Sequence, residues 1–206
     1  VNVIPPLIIE STTSNSMADV LNFQTGLRVE ETCSNCGVPQ IRINGLEGQY
    51  TQILMDSRPI FSSLASVYGL EQLPAGMVDR IEVIRGGGSA LYGANAIAGV
   101  VNIITKEPSR NSLNISNSSA FTQQGTYDIN TNMNASVVSE NQKAGLFLFG
   151  VQRNRQQYDR DNDGYSDIPH LNSTTVGFRS YFKTSDYSKI TAEYHHTSEF
   201  RRGGYG

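Results

Sequence analysis

Tryptophan is missing from this 206-residue sequence, cysteine occurs twice and histidine three times. No apolar run approaches the roughly 20 residues that a membrane helix needs. Helical crossing is therefore excluded, although crossing by strands is not, because alternating strands leave hydropathy almost silent. Basic clusters are also missing. Sixteen Lys and Arg against nineteen Asp and Glu leave a net charge of −3, and no Lys/Arg-rich run offers the field that nucleic acid requires. Val1-Asn2-Val3-Ile4 reads as a strand and not as a signal peptide. Catalytic sets are lacking as well: without a nucleophile–base pair, a carboxylate dyad or a closed metal set, no enzyme is expected.

The two cysteines form a single C-x-x-C, Cys33 and Cys36. Zinc would need two further ligands, and His170, His195 and His196 all lie far along the chain. A redox dithiol favours a strand-to-helix context, whereas Cys36-Gly37-Val38-Pro39 is turn-like. A local disulfide and free thiols both remain open.

What is present centres on residues 81–106. Ile81, Val83 and Arg85 alternate with Glu82 and Ile84, the period of a half-buried strand. Gly86-Gly87-Gly88 follows; Ser89 can cap a short helix over Ala90-Leu91-Tyr92, and Gly93 can stop it. Gly99 to Thr105 is then an apolar strand interrupted by Asn102. A glycine-rich turn between strand and helix suggests a phosphate cradle. Neither the G-x-x-x-x-G-K-[ST] nor the G-x-G-x-x-G spacing is there, so a tightly packed turn is the better reading.

The runs Asp79-Arg80-Ile81-Glu82-Val83-Ile84-Arg85-Gly86, Ser89-Ala90-Leu91-Tyr92-Gly93 and Ile97-Ala98-Gly99-Val100-Val101-Asn102-Ile103-Ile104-Thr105-Lys106 resemble the plug domain of TonB-dependent outer-membrane receptors. The resemblance makes Glu82, Arg85, Gly86, Tyr92 and Gly93 a structural motif of the plug, with Glu82 and Arg85 expected to pair with the barrel. Gly87 departs from it, standing where many members have proline or serine, and is expected only to loosen the turn.

Residues 1–108 read as an α+β plug. A first strand is broken at Pro5-Pro6, and a helix follows Ser14-Asn15-Ser16 with Met17, Val20, Leu21 and Phe23 inward and Gly26 as its stop. Strands are expected over Leu27 to Glu31, Gln40 to Asn44 and Thr51 to Asp56. The last ends in a turn resembling the family's aspartate turn, with Ser57 in place of glycine. Residues 60–72 read as an amphipathic loop.

After Pro108 the texture changes. Tyr127, Ile129, Thr131, Met133, Ala135 and Val137 share one face of a long strand whose other face is Asp128, Asn130, Asn132, Asn134 and Ser136. A strand of that length, apolar on one side and wholly polar on the other, fits a barrel wall better than a soluble sandwich. Residues 109–206 are thus expected to be about five antiparallel transmembrane strands, joined at Gln123 to Gly125, Glu140 to Gln142, Asp159 to Pro169 and Thr184 to Asp186. If the first rises from the periplasm, the Asn141 and Ser185 turns are periplasmic and the Asp159 loop extracellular. Five strands form an incomplete barrel with open edges, so an N-terminal fragment of a receptor is expected.

The resemblance implies outward-facing plug loops that meet substrate: Ser34, Asn35, Val38 and Gln40 in one, Phe61, Leu64 and Tyr68 in the next. In the oxidising envelope it implies, Cys33 and Cys36 would form a disulfide that stiffens the first loop. It implies energy-coupled uptake of a metal chelate through the outer membrane of a Gram-negative bacterium. A ferric siderophore or haem is the first choice and cobalamin the second, with the periplasmic protein TonB as partner. The TonB-binding segment that normally precedes the plug is expected to be absent from this fragment. Outer-membrane lipid is the other partner; no nucleic acid and no required cofactor are expected. Structural calcium is a separate question. Asp159, Asp161, Asp163, Tyr165 and Asp167 follow the D-x-D-x-D-G pattern of a calcium loop, but His170 stands where the closing glutamate belongs. Calcium and a solvated acidic loop are both open. The rival reading is an extracellular, calcium-stabilised β-rich adhesion or carbohydrate-binding module, which leaves the 81–106 stretch unexplained.

Overall fold

The computed structural model describes residues 1–11, 17–22, 24–31, 39–59, 75–87 and 89–205. The chain divides into two compact units, Val1–Lys106 and Glu107–Gly206, so the boundary falls two residues before Pro108.

The first unit is built on a five-stranded sheet in the order β1-β6-β7-β4-β5. Its strands are β1 (Asn2–Ile4), β4 (Thr51–Met55), β5 (Arg58–Pro59), β6 (Val78–Arg85) and β7 (Gly99–Thr105). Strand β7 runs antiparallel to β6 and parallel to β4. Lying between them, it is buried on both faces along nearly its whole length, which is why its sequence is apolar throughout and not alternating. Strand β6 has one such face: Ile81 and Val83 are buried while Glu82 and Ile84 are half-buried.

Two short helices, α1 (Pro6–Ser11) and α2 (Met17–Asn22), accompany the sheet. Met17, Val20 and Leu21 of α2 are fully buried, the inward face expected from their spacing. Phe23, the fourth expected member, lies outside the described residues. Helix α1 was not expected; Pro6 begins it, as proline can at a first helical position, where the missing N–H costs nothing. Strands β2 (Leu27–Glu31) and β3 (Pro39–Ile43) pair antiparallel as a separate hairpin. Buried Ile41 and Ile43 anchor it, at about 1.5–3 kcal/mol for each fully buried side chain.

The second unit is one antiparallel meander in the order β12-β11-β10-β9-β8: β8 (Ser112–Phe121), β9 (Tyr127–Val138), β10 (Ala144–Arg155), β11 (His170–Ser185) and β12 (Ser188–Arg202). Strand register puts Leu113, Ala135, Leu148, Phe178 and Tyr194 in one cross-strand row, with Ile115, Met133, Gly150, Val176 and His196 in the next. On this apolar face Leu113, Met133, Val137, Phe182 and Ile190 are all at least half exposed. The opposite face carries Asn130, Ser136 and Thr175, which are buried, and the ion pairs Arg153–Asp128 and Arg179–Glu193. A water-soluble sheet buries its apolar side. This one is inverted, which is the patterning of a membrane-spanning barrel wall.

Candidate functional site

The glycine turn of the 81–106 stretch is shaped by backbone geometry. Gly86 and Gly87 both have positive φ, +66° and +62°. Proline cannot adopt such a φ, so the departure at Gly87 gives the turn a path closed to proline, a larger effect than loosening. Tyr92 closes the short helix Ser89–Tyr92, and Gly93 follows it at φ +88°. At Gly99 a side chain is impossible: a Cβ there would lie 2.3 Å from the Ile84 carbonyl oxygen.

Glu82 and Arg85 are both engaged within the first unit. Glu82 accepts hydrogen bonds from Arg80 Nε (2.9 Å) and Asn102 Nδ2 (3.2 Å). Arg80 also donates to Asp79 (3.0 Å), and the bonds to Asp79 and then Glu82 raise its pKa further above an already high value. Arg85 donates to the Thr25 carbonyl, tying the end of β6 to the turn that precedes β2. Asn102 was not expected to matter, yet it joins the motif to the aspartate turn. Its Oδ1 accepts from Ser57 N (2.9 Å), and its Nδ2 lies 3.3 Å from Ser57 Oγ. Asp56 in turn holds Thr105 through both backbone and hydroxyl. A polar residue interrupting a buried apolar strand was the available signal.

Of the expected substrate-facing residues, Ser34, Asn35, Val38, Phe61, Leu64 and Tyr68 lie outside the described residues, as do Cys33 and Cys36. Gln40 is described. It is half-buried in β3, opposite Glu30, and its side chain packs against Gly48.

The acidic loop brings together three of its four expected carboxylates: one oxygen each from Asp159, Asp161 and Asp167 lies within 4.8 Å of the others. Asp163 instead accepts from Tyr165 N at 2.8 Å. Desolvation raises the Asp159 pKa, but backbone N–H groups of Gly164 and Asn162 bind its carboxylate and outweigh that, so the net shift is downward. An all-oxygen donor set suits a hard cation such as calcium. The loop is also stitched to the segment after β12: Ser166 N donates to the Gly204 carbonyl, Gly204 N to Ser166 Oγ, and the Tyr165 and Tyr205 rings meet edge to face at 5.9 Å. Nothing local in the sequence pairs these distant segments.

Against known proteins, residues 1–100 match the model of the TonB-dependent receptor plug domain. The chain's first hundred residues are a TonB-dependent receptor plug domain. The chain is 36% identical over 97 residues to the vitamin B12 transporter BtuB of Vibrio vulnificus, covering 47% of this chain and 16% of that protein. The BtuB of Vibrio cholerae is 30% identical over 102 residues, covering 50% and 17%. The fold extends further than the sequence likeness. The siderophore receptor PirA from Acinetobacter baumannii superposes at TM-score 0.80 and 22% identity over 97% of this chain and 31% of its own. The unliganded ferric citrate transporter FecA gives 0.75 and 19% over 98% and 31%. The chain is therefore a TonB-dependent receptor plug followed by antiparallel strands of the barrel, an unclosed part of that wall. It spans about a sixth of the length of the curated relatives it matches. The family is one of receptors and transporters, not of enzymes, and the adhesion-module reading gives way to it.

Proposed function

We propose that the receptor to which this chain belongs takes up a bulky metal-chelate nutrient across the outer membrane of a Gram-negative bacterium, driven through the periplasmic partner TonB. One observation carries the reading: a plug-domain sequence leads directly into a wall whose apolar face is exposed and whose polar face is buried. In this reading the apolar face meets lipid, the Asp186–Tyr187 turn is periplasmic and the Asp159 loop extracellular. The cargo is a ferric siderophore, haem or cobalamin. The sequence puts the iron chelates first, and the plug's likeness to vitamin B12 transporters supports testing cobalamin beside them. The experiment is uptake by intact cells lacking their other receptors, supplied separately with ferric enterobactin, haem and cyanocobalamin. Import of at least one is expected, and import of none overturns the reading.

Asp159, Asp161 and Asp167 are proposed to hold calcium at the outer surface. Without a closing glutamate the affinity is weak, suited to an outside where calcium is plentiful. Millimolar calcium is expected to raise the melting temperature of the intact receptor and to lose that effect in Asp159→Asn. No shift in the parent protein contradicts it.

A further inference from the structure

Charge in the second unit is sorted by face. Register confines the lysine, arginine and carboxylate side chains of β8 to β12 to the polar face, with Arg202 at the end of β12 as the exception. The apolar face also changes character along its length. Above the row of Ile115, Met133, Val176 and His196 stands a row of Asn117, Thr131, Gln152, Thr174 and Ser198, and the next holds Ser119, Asn154 and Asn172. Thr131, Gln152, Asn172, Thr174 and Ser198 are exposed. Five strands about 4.8 Å apart make this neutral band of amides and hydroxyls roughly 20 Å wide. Hydrocarbon does not suit it, because amides and hydroxyls facing a chain of methylenes go without partners. Asn117 donates to Thr131 Oγ1 and accepts from Ser119 Oγ, both at 2.8 Å. Those two bonds meet only part of the band's capacity.

A wall passing simply into water would stay polar to its end, and this one does not. Phe200, across from Asn172, is 60% exposed, and Phe121, in the outermost row, is 72% exposed. The Phe200 ring meets His170 edge to face at 6.0 Å, and His170 stands opposite Arg202. Aromatic rings on a lipid-facing wall favour headgroup depth. The band is thus edged by exposed rings and one cation, with no carboxylate on its face to repel an anion. A sugar headgroup that bears phosphate matches each part: hydroxyls meet the amides, ring faces meet the phenylalanines, and phosphate meets Arg202. We propose that this band binds the phosphorylated sugar headgroup of a glycolipid in the outer leaflet. The proposal rests on the reading of β8 to β12 as a membrane wall with the Asp159 loop outside.

The test uses full-length receptor in phosphatidylcholine vesicles, its other cysteines replaced by serine, with an environment-sensitive NBD label on Thr174→Cys or on Val176→Cys. The label at position 176 tests the wall alone: emission there as from water overturns the membrane reading and this proposal with it. With that label in lipid, added rough lipopolysaccharide is expected to shift the emission at position 174 to the blue. Phosphatidylglycerol, which has the phosphate but no sugar, is expected to leave it unchanged. Arg202→Gln is expected to raise the lipopolysaccharide midpoint about tenfold. No response at position 174, the result if the band meets only water, overturns the site alone. An equal response to phosphatidylglycerol, or an unchanged midpoint in Arg202→Gln, overturns it as well.

Discussion

At the scale of single residues, the plug depends on backbone that most side chains cannot enter. Gly99, at φ +152°, lies against the Ile84 carbonyl, and backbone cannot yield there as a flexible side chain could. Gly99→Ala is expected to destabilise the plug by about 3 kcal/mol or more, read as a fall in the denaturation midpoint of the receptor; an unchanged midpoint contradicts the packing described. Ser57 is the reverse case. Its φ of +65° suits glycine, and Asn102 offsets the strain by binding both its N–H and its hydroxyl. Ser57→Gly therefore relieves about 1 kcal/mol of backbone strain and loses one side-chain contact, for a net change near zero. Asn102→Ala removes the hydrogen bonds that buried Asn102 makes with exposed Ser57 and half-buried Glu82 and costs about 1 kcal/mol. Equal effects of the two substitutions contradict the pairing. The acidic loop carries a pH dependence. The folded Asp159 pKa lies below the ordinary carboxylate value of 3.8, so the order it confers is complete above that value and lost as pH falls through the depressed one. The protection factors of the Asn162 and Gly164 amides, relative to intrinsic exchange at each pH, are expected to fall there and to stay unchanged between neutral pH and pH about 5.

At the scale of elements, legibility followed periodicity. Strands β7 and β9 were readable because each has one consistent pattern, apolar throughout or alternating. Strand β10 was blurred, and register shows why. Phe149 stands opposite Gly177, and Gly145 opposite Tyr181, so rings on the polar face fill the space over facing glycines and make β10 apolar on both sides. Strands β11 and β12 run well past their alternating cores, to Arg202, because cross-strand pairing continues where side-chain pattern fades. Helix α1 was hidden by Pro5-Pro6, which read as a break. For the candidate site, the acidic loop was legible as a motif. Its link to Tyr205 and the role of Asn102 were not, since both are contacts between segments far apart in sequence. The wall makes a sharp prediction of its own. Met133→Arg, on the exposed apolar face, is expected to cost about 2–4 kcal/mol in folding into lipid vesicles, while Asn132→Ala on the polar face is tolerated. Equal costs contradict the assignment of faces.

At the scale of the whole molecule, the two units have complementary chemistry. One is a mixed sheet with a doubly buried central strand; the other is an inverted wall that water alone does not stabilise. Their direct succession at Lys106 and Glu107 joins a plug-domain sequence to strands with the patterning of a membrane wall, and it is this succession that the uptake proposal depends on. Both units match the fold of known receptors, whereas the relatives' names divide between cobalamin, siderophores and ferric citrate. The most direct test is import of ferric enterobactin, haem and cyanocobalamin by cells expressing the full-length receptor as their sole outer-membrane route, with and without a protonophore. The account predicts accumulation of at least one chelate that the protonophore abolishes. Failure to accumulate any of them, or accumulation indifferent to the protonophore, would contradict it.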